Sequence, residues 1–245
     1  MILGANKRVA EVAGVSCRDS VNVSGFIGAS PSGPAGSATM TFACLLTYVR
    51  TGAAASNYPF SRADGATGWY IRVVGSTGVI NAGVYNSTPT NLETPNFTLT
   101  LGLPTLFIVR YTAGTLQAWA NGVSVGVTGP TGAGFTSAAT PTRIGTRGSQ
   151  PTNCETVRPY ECMMLDGYDA AATIATLNGQ WCEDFQQGRY ATWPRTMTVN
   201  DWYWSSRDAV AGSSTKATWI DRGTNAVSLA KTGAPQACSM IPRFA

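Results

Sequence analysis

From Thr39 onward the chain is a succession of short apolar runs, and their length and bounding residues constrain the fold more than any other feature. The runs are TMTFACLLTYVR (39–50), GWYIRVV (68–74), GVINAGVY (78–85), FTLTL (97–101), TLFIVRY (105–111), TLQAWAN (115–121), VSVGVT (123–128), PTRIGTR (141–147) and VRPYECMMLDGY (157–168). Each is rich in β-branched and aromatic residues and is bounded by Gly, Pro, Asn or Ser, so each reads as a strand. Strands at this spacing predict an all-β antiparallel sandwich or barrel. The stretch Thr105 to Gly122, TLFIVRYTAGTLQAWANG, holds two such runs flanking Thr112-Ala113-Gly114, and its second run closes on Asn121-Gly122. Asn-Gly between apolar runs is a strong hairpin signal, which places Trp119 in or near the core.

A chain of 245 residues accommodates one large β-domain with trailing segments. Charged residues make up only 12%, and the formal charge of +4 comes from cations scattered along the chain. Nucleic-acid binding needs clustered cations that displace counterions, so no nucleic-acid partner is expected. Arg outnumbers Lys, which suits protein interfaces because its planar fork makes bidentate bonds. Met1 to Gly14 lacks the apolar core of a signal peptide and no run approaches a membrane span, so synthesis in a cytoplasm and no membrane partner are expected.

There is no His, and the six Cys (17, 44, 154, 162, 182, 238) form no C-x-x-C pair, so neither a zinc site nor another cofactor is expected. The Cys are either free thiols, with Cys44 in a strand core, or late disulfides among Cys154, Cys162 and Cys182 or between Cys17 and Cys238. Sequons at Asn22, Asn86 and Asn96 arise easily in a chain rich in Asn, Ser and Thr, and carry no functional weight.

Residues 1–38 read as an N-terminal arm ending in a Gly/Ser/Pro linker, 39–200 as the sandwich, and 201–245 as a C-terminal arm or additional strands. A helical patch at 169–187 starts at Asp169, a suitable N-cap, and carries Ile174, Leu177, Trp181 and Phe185 as one apolar stripe interrupted by Asn178-Gly179, so a short helix pair closing the end of the sandwich is expected. Within the last segment, Trp202, Trp204 and Trp219, with Arg222, are candidate interface residues on a neighbouring chain.

The order of these strands resembles the laminin-G-like branch of the concanavalin A-like lectin/glucanase superfamily, as found in tailed-bacteriophage structural proteins. The matching positions are Ile108, Val109 and Tyr111, Gly114, Trp119, Asn121 and Gly122, Ile144 and Gly145, Asp166 and Tyr168, and then Ala170 to Leu177. The resemblance covers roughly Met40 to Phe185 and implies a concanavalin A-like jelly roll in which Asp166 is a buried structural carboxylate. The Trp-His pair often found before the "V-x-Y" strand is replaced by Leu106-Phe107. The tail segment TWIDRGTNAVSLAKTGAP, residues 218–235, is similar to a stretch that opens sandwich domains of this kind in phage proteins.

The glucanase branch uses alternate carboxylates on one strand, and nothing here matches it. Glu161 and Asp166 are an odd number apart and so point to opposite faces of an unbroken strand, while Glu183 and Asp184 are expected in solvent. Without His there is no Ser-His or Cys-His pair, so no enzymatic activity is expected. Asp64 is either a D-G turn residue or a loop carboxylate for a glycan-binding site, with Trp69 and Tyr70 beside it as possible sugar contacts. The resulting expectation is a non-enzymatic virion structural protein, a capsid decoration protein or head or tail appendage, with other virion proteins and further copies of itself as partners. A glycan-binding adhesion or receptor-binding module is the alternative.

Overall fold

In the computed structural model, Asn121 and Gly122 both take positive φ, +49° and +80°, and join strands with Ala120 opposite Val123. This is the two-residue turn whose twist matches that of the flanking strands. Ala113 and Gly114 do the same, at +49° and +74°, between Thr112 and Thr115. The structure describes residues 12–16, 25–27, 36–49, 51–52, 56–85, 91–129, 135–145, 156–187, 201–205, 218–220, 228–232 and 236–240.

In chain order the strands are β1 (Val12–Ser16), β2 (Gly25–Ile27), β3 (Thr39–Tyr48), β4 (Ser56–Ala63), β5 (Gly68–Val74), β6 (Val79–Tyr85), β7 (Asn91–Glu93), β8 (Phe97–Thr98) and β9 (Pro104–Thr112). They continue as β10 (Thr115–Ala120), β11 (Val123–Thr128), β12 (Arg143–Ile144), β13 (Val157–Asp166), β14 (Trp202–Ser205), β15 (Thr218–Ile220), β16 (Ser228–Thr232) and β17 (Gln236–Met240). A one-turn 3-10 helix, Ala170–Ala172, leads into α1 (Ile174–Gln186).

Six strands form one sheet in the order β11-β10-β9-β3-β13-β14. Nine form the other, β15-β16-β2-β12-β4-β5-β6-β7 with β8 beside β6. All pairings are antiparallel, and β1 and β17 make a separate two-stranded ribbon in which Cys238 faces Gly14. The described residues of 201–245 thus contribute β14 to one sheet and β15 and β16 to the other, and β2, from the segment expected as an N-terminal arm, lies between β16 and β12.

Alternation along each strand divides the apolar side chains between two layers. Phe42, Cys44, Leu46, Trp69, Ile71, Ile80, Phe107, Val109, Ile144, Cys162 and Met164 face inward and form the core between the sheets. Ala43, Leu45, Leu106, Ile108, Met163 and Leu165 face the outside of the six-stranded sheet, where Leu177 and Trp181 of α1 cover them. Residues 177, 181 and 184 recur at four and three positions, so the stripe that buries Leu177 and Trp181 also buries Asp184. That corrects the expectation of a solvated Asp184. Glu183 is exposed as expected and accepts from the Gln187 amide at 2.6 Å.

Candidate functional site

The outward face of the nine-stranded sheet carries a part-exposed polar cluster. Because Trp69, Ile71 and Val73 point into the core, Tyr70 and Arg72 of β5 point out, and the same alternation sends Asn81 of β6 and Glu93 of β7 to that face. Glu93 is the hub. Its Oε1 accepts from the Tyr70 hydroxyl, and its Oε2 accepts from Arg72 Nη2 at 3.2 Å and from Asn81 Nδ2 at 3.1 Å. Arg72 Nε donates to Asn81 Oδ1 at 3.1 Å, and Asn81 Nδ2 also reaches Asn96 Oδ1 at 3.2 Å.

Burial and the Glu93 carboxylate beside it push the Tyr70 phenol well above its ordinary range, so it stays protonated and donating. The Arg72 and Glu93 side chains are 27% and 31% exposed. Every polar atom between them is therefore oriented before a ligand arrives, and Arg72 Nη1 and Asn96 Nδ2 keep donors beyond these bonds. Gly83 of β6 makes room for this arrangement, since a Cβ there would lie 2.3 Å from the Tyr70 ring.

Of the three residues singled out for glycan contact, the structure buries both aromatic rings and leaves only Asp64 at the surface. Trp69 is fully buried between the sheets, so its ring has no face to offer a sugar. Tyr70 lies on the other side of the sheet but is also buried, packed with Tyr58 and Tyr85. Strand alternation alone would bury only one of the pair. Asp64 is exposed, but Oδ1 accepts from the N–H groups of Ala66 and Thr67 at 2.9 and 2.7 Å, and Oδ2 from the Thr67 hydroxyl at 2.8 Å. Slight desolvation opposes these bonds, which still hold its carboxyl below the usual range. It closes its own turn.

The positions matching the lectin-like pattern are structural. Tyr111 and Ile144 are in the core, and Trp119 is buried on the face that carries α1. Asn121 Oδ1 accepts from Leu106 N at 2.9 Å while its own N–H donates to Leu106 O at 3.0 Å, tying the turn back to β9. Gly122 lies against Asn178 of α1, and Gly145, at φ +86°, donates to Pro59 O at 3.2 Å. The Tyr168 hydroxyl meets Thr173 Oγ1 at 2.5 Å, and its carbonyl accepts from Thr41 Oγ1 at 2.8 Å. At Asp166 the backbone N–H donates to Asp201 Oδ1 at 3.0 Å, so the fully buried carboxylate that accepts a backbone bond here is Asp201. Trp202 and Trp204, expected at an interface, stack at 5.6 Å in the core. The reason is that β14 completes the six-stranded sheet. Trp219 lies in β15, and Arg222 falls outside the described residues.

A cleft of about 240 Å³ lies at the Asn121 turn, lined by Phe97, Leu103, Thr105, Asn121, Asn178 and Cys182. Its one thiol is a poor nucleophile, since burial, with the charge of Glu161, pushes Cys182 up to about 11. Alkylation of Cys182 by iodoacetamide at pH 8 is expected to run roughly a hundredfold slower than that of an open thiol, in proportion to the thiolate fraction. A mass-spectrometric time course checks this. Among the described residues no three Cys, Asp or Glu stand where they could hold a metal ion, and no helix is long and apolar enough to cross a membrane.

Two antiparallel sheets packed face to face around one core make this an antiparallel β-sandwich of the jelly-roll kind. Among solved structures it is similar to the native heptameric SAP-like pentraxin of Limulus polyphemus, with a TM-score of 0.50 and 14% identity over 69% of this chain and 82% of that one. It is also similar to the CBM40 of a Ruminococcus gnavus sialidase bound to sialyllactose, with a TM-score of 0.42 and 11% identity over 58% and 90%. The botulinum neurotoxin serotype D binding domain gives a TM-score of 0.47 and 8% identity over 58% and 36%. No family model matches the sequence, and no curated protein matches it.

Proposed function

We propose that the chain is a non-enzymatic glycan-binding module whose contact groups are Arg72, Glu93 and Asn96, held in place by the buried Asn81. The observation that carries this reading is the preordered set of amide, guanidinium and carboxylate groups on the outward face of a lectin-like sheet. Sugar hydroxyls both donate and accept, so they match a mixed surface of this kind, and a sugar carboxylate would pair with the Nη1 edge of Arg72.

Changing Arg72 to Ala is expected to weaken glycan binding at least tenfold while costing no more than about 1 kcal/mol of stability, because the ion pair is part-exposed. A glycan array followed by calorimetry on the best ligand tests it. An R72A protein that binds as well as the wild type sinks the assignment.

A second reading places the sandwich in the particle of a tailed bacteriophage, made in the host cytoplasm, as a capsid decoration protein or a head or tail appendage. The resemblance to phage structural proteins suggests it, and β11 favours it. Among the described residues this is an edge strand, VSVGVT, which carries no charge and exposes Val123 and Val127 at 69% and 53%, a backbone edge that a capsid neighbour could pair with. Under this reading, changing both valines to Lys abolishes association with purified capsids in a sedimentation assay. Unchanged association sets the β11 contact aside.

A further inference from the structure

β3 and β13 are neighbouring interior strands of the six-stranded sheet, and their register sets Cys44 directly opposite Cys162. Both side chains are fully buried in the core and their sulfurs lie 3.6 Å apart, in direct contact, with Cys162 Sγ–H placed to donate to Cys44 Sγ. Cys182 cannot compete for Cys162. It packs on the outer face with α1, while Cys162 points inward, so the sheet separates them. The pairings open at the level of sequence did not include Cys44, because nothing in 118 residues of separation announces that β3 and β13 are neighbours.

We propose that Cys44 and Cys162 are a built redox pair that closes to a cross-strand disulfide with a small-molecule disulfide of the glutathione type as oxidant. One thiol loses its proton and attacks the oxidant, releasing one equivalent of reduced thiol and leaving a mixed disulfide. The second thiol loses its proton and attacks the protein sulfur of that bond. The Sγ–Sγ bond forms, the small-molecule half of the mixed disulfide departs as a second equivalent of reduced thiol, and the two protons reside on the two released small-molecule thiols. Since both sulfurs are shielded by the core, exchange takes place during folding or through opening of the sheet, and the reduced pair persists in a reducing cytoplasm. Closing so long a loop restricts the unfolded chain strongly, and the sulfurs already lie within reach of each other in the folded state.

The test folds the full-length chain from denaturant in a buffer of reduced and oxidised glutathione, then quenches with N-ethylmaleimide under denaturing conditions and maps the peptides. In parallel, folded reduced protein is incubated in the same buffer. The expected result is a linked peptide joining Cys44 to Cys162 in the refolded sample. Its Tm should lie roughly 5–15 °C above that of the reduced protein, with the difference abolished by reductant. The Cys44→Ala and Cys162→Ala variants, alone or combined, are expected to show no such redox-dependent Tm. Cys44 and Cys162 recovered as maleimide adducts in both arms overturn the proposal, as does Cys162 linked to any other cysteine, or a Tm that oxidation leaves unchanged or lowers.

Discussion

Replacing Trp69 with Ala is expected to destabilise the protein by about 3–5 kcal/mol, the range for removing a large aromatic side chain from a close-packed core. The ring is fully buried and bridges the two sheets. Its centroid lies 4.6 Å from that of Phe60 beside it in the same sheet and 5.1 Å from that of Phe42 across the core, and Phe60 in turn meets Trp204 at 5.7 Å. Removing it strips one side of the Phe42 and Phe60 rings and leaves a void that the strands, pinned by their ladders, cannot close. In thermal unfolding the loss appears as a fall in Tm of roughly 10 °C or more.

Trp69→Phe separates volume from polarity. The indole N–H has no hydrogen-bond partner among the described residues, so the Phe variant loses packing but also relieves a desolvated donor, and its expected cost is only about 1–2 kcal/mol. The pair of variants also bears on the glycan reading. Any loss of binding in W69A would accompany a loss of fold, whereas loss in R72A would come with an intact melting transition. A W69A protein as stable as the wild type but deficient in binding would contradict the buried placement of this ring.

Which parts of the architecture could be read in advance follows from the range of the interactions that set them. Both tight turns and the strands they join are encoded within about 20 residues, in Ala113-Gly114 and Asn121-Gly122, and β11 starts and ends where its pattern does. The start of the helical patch was also local, because Asp169 Oδ1 caps the first turn by accepting from Ala171 N. β4 was missed for an equally local reason. SNYPFSRA contains Pro59, which cannot donate to a ladder, and the strand tolerates it only through an irregularity between Asn57 and Phe60.

Long-range partnership was not legible. Nothing within WYWS says that β14 pairs with β13, yet that pairing converts Trp202 and Trp204 from candidate interface residues into core. The polar network was hidden for the same reason. Arg72, Asn81, Glu93 and Asn96 are individually unremarkable strand and loop residues, and only the β5-β6-β7 register brings them together. The sequence offered Trp69 and Tyr70 as the conspicuous sugar-contact types, and conspicuous aromatics in a β-sandwich more often build the core than decorate the surface.

Glu161 shows what such hidden partnership is worth, and Glu161→Ala is expected to cost about 3–5 kcal/mol. The carboxylate is fully buried beneath α1 on the outer face of the six-stranded sheet. Its Oε2 accepts from the Trp181 indole N–H, and its Oε1 accepts from the Tyr203 hydroxyl at 2.8 Å and the Ser205 hydroxyl at 3.0 Å. One side chain from β13 thereby collects donors from α1 and β14, elements 20 to 44 residues downstream. Truncation to Ala leaves three buried donors short of an acceptor and a cavity among Tyr160, Met163 and Trp181, and these costs fall on the same contact that holds the helix to the sheet. Glu161→Gln keeps the shape and one acceptor oxygen but turns an NH2 group towards hydroxyls or the indole, so its expected cost is smaller, about 1–2 kcal/mol. Denaturant unfolding monitored by tryptophan fluorescence checks both, since Trp181 touches the altered group directly. If E161Q were as stable as the wild type while E161A was not, the side chain would be packing filler rather than the acceptor that fastens α1 and β14 to β13.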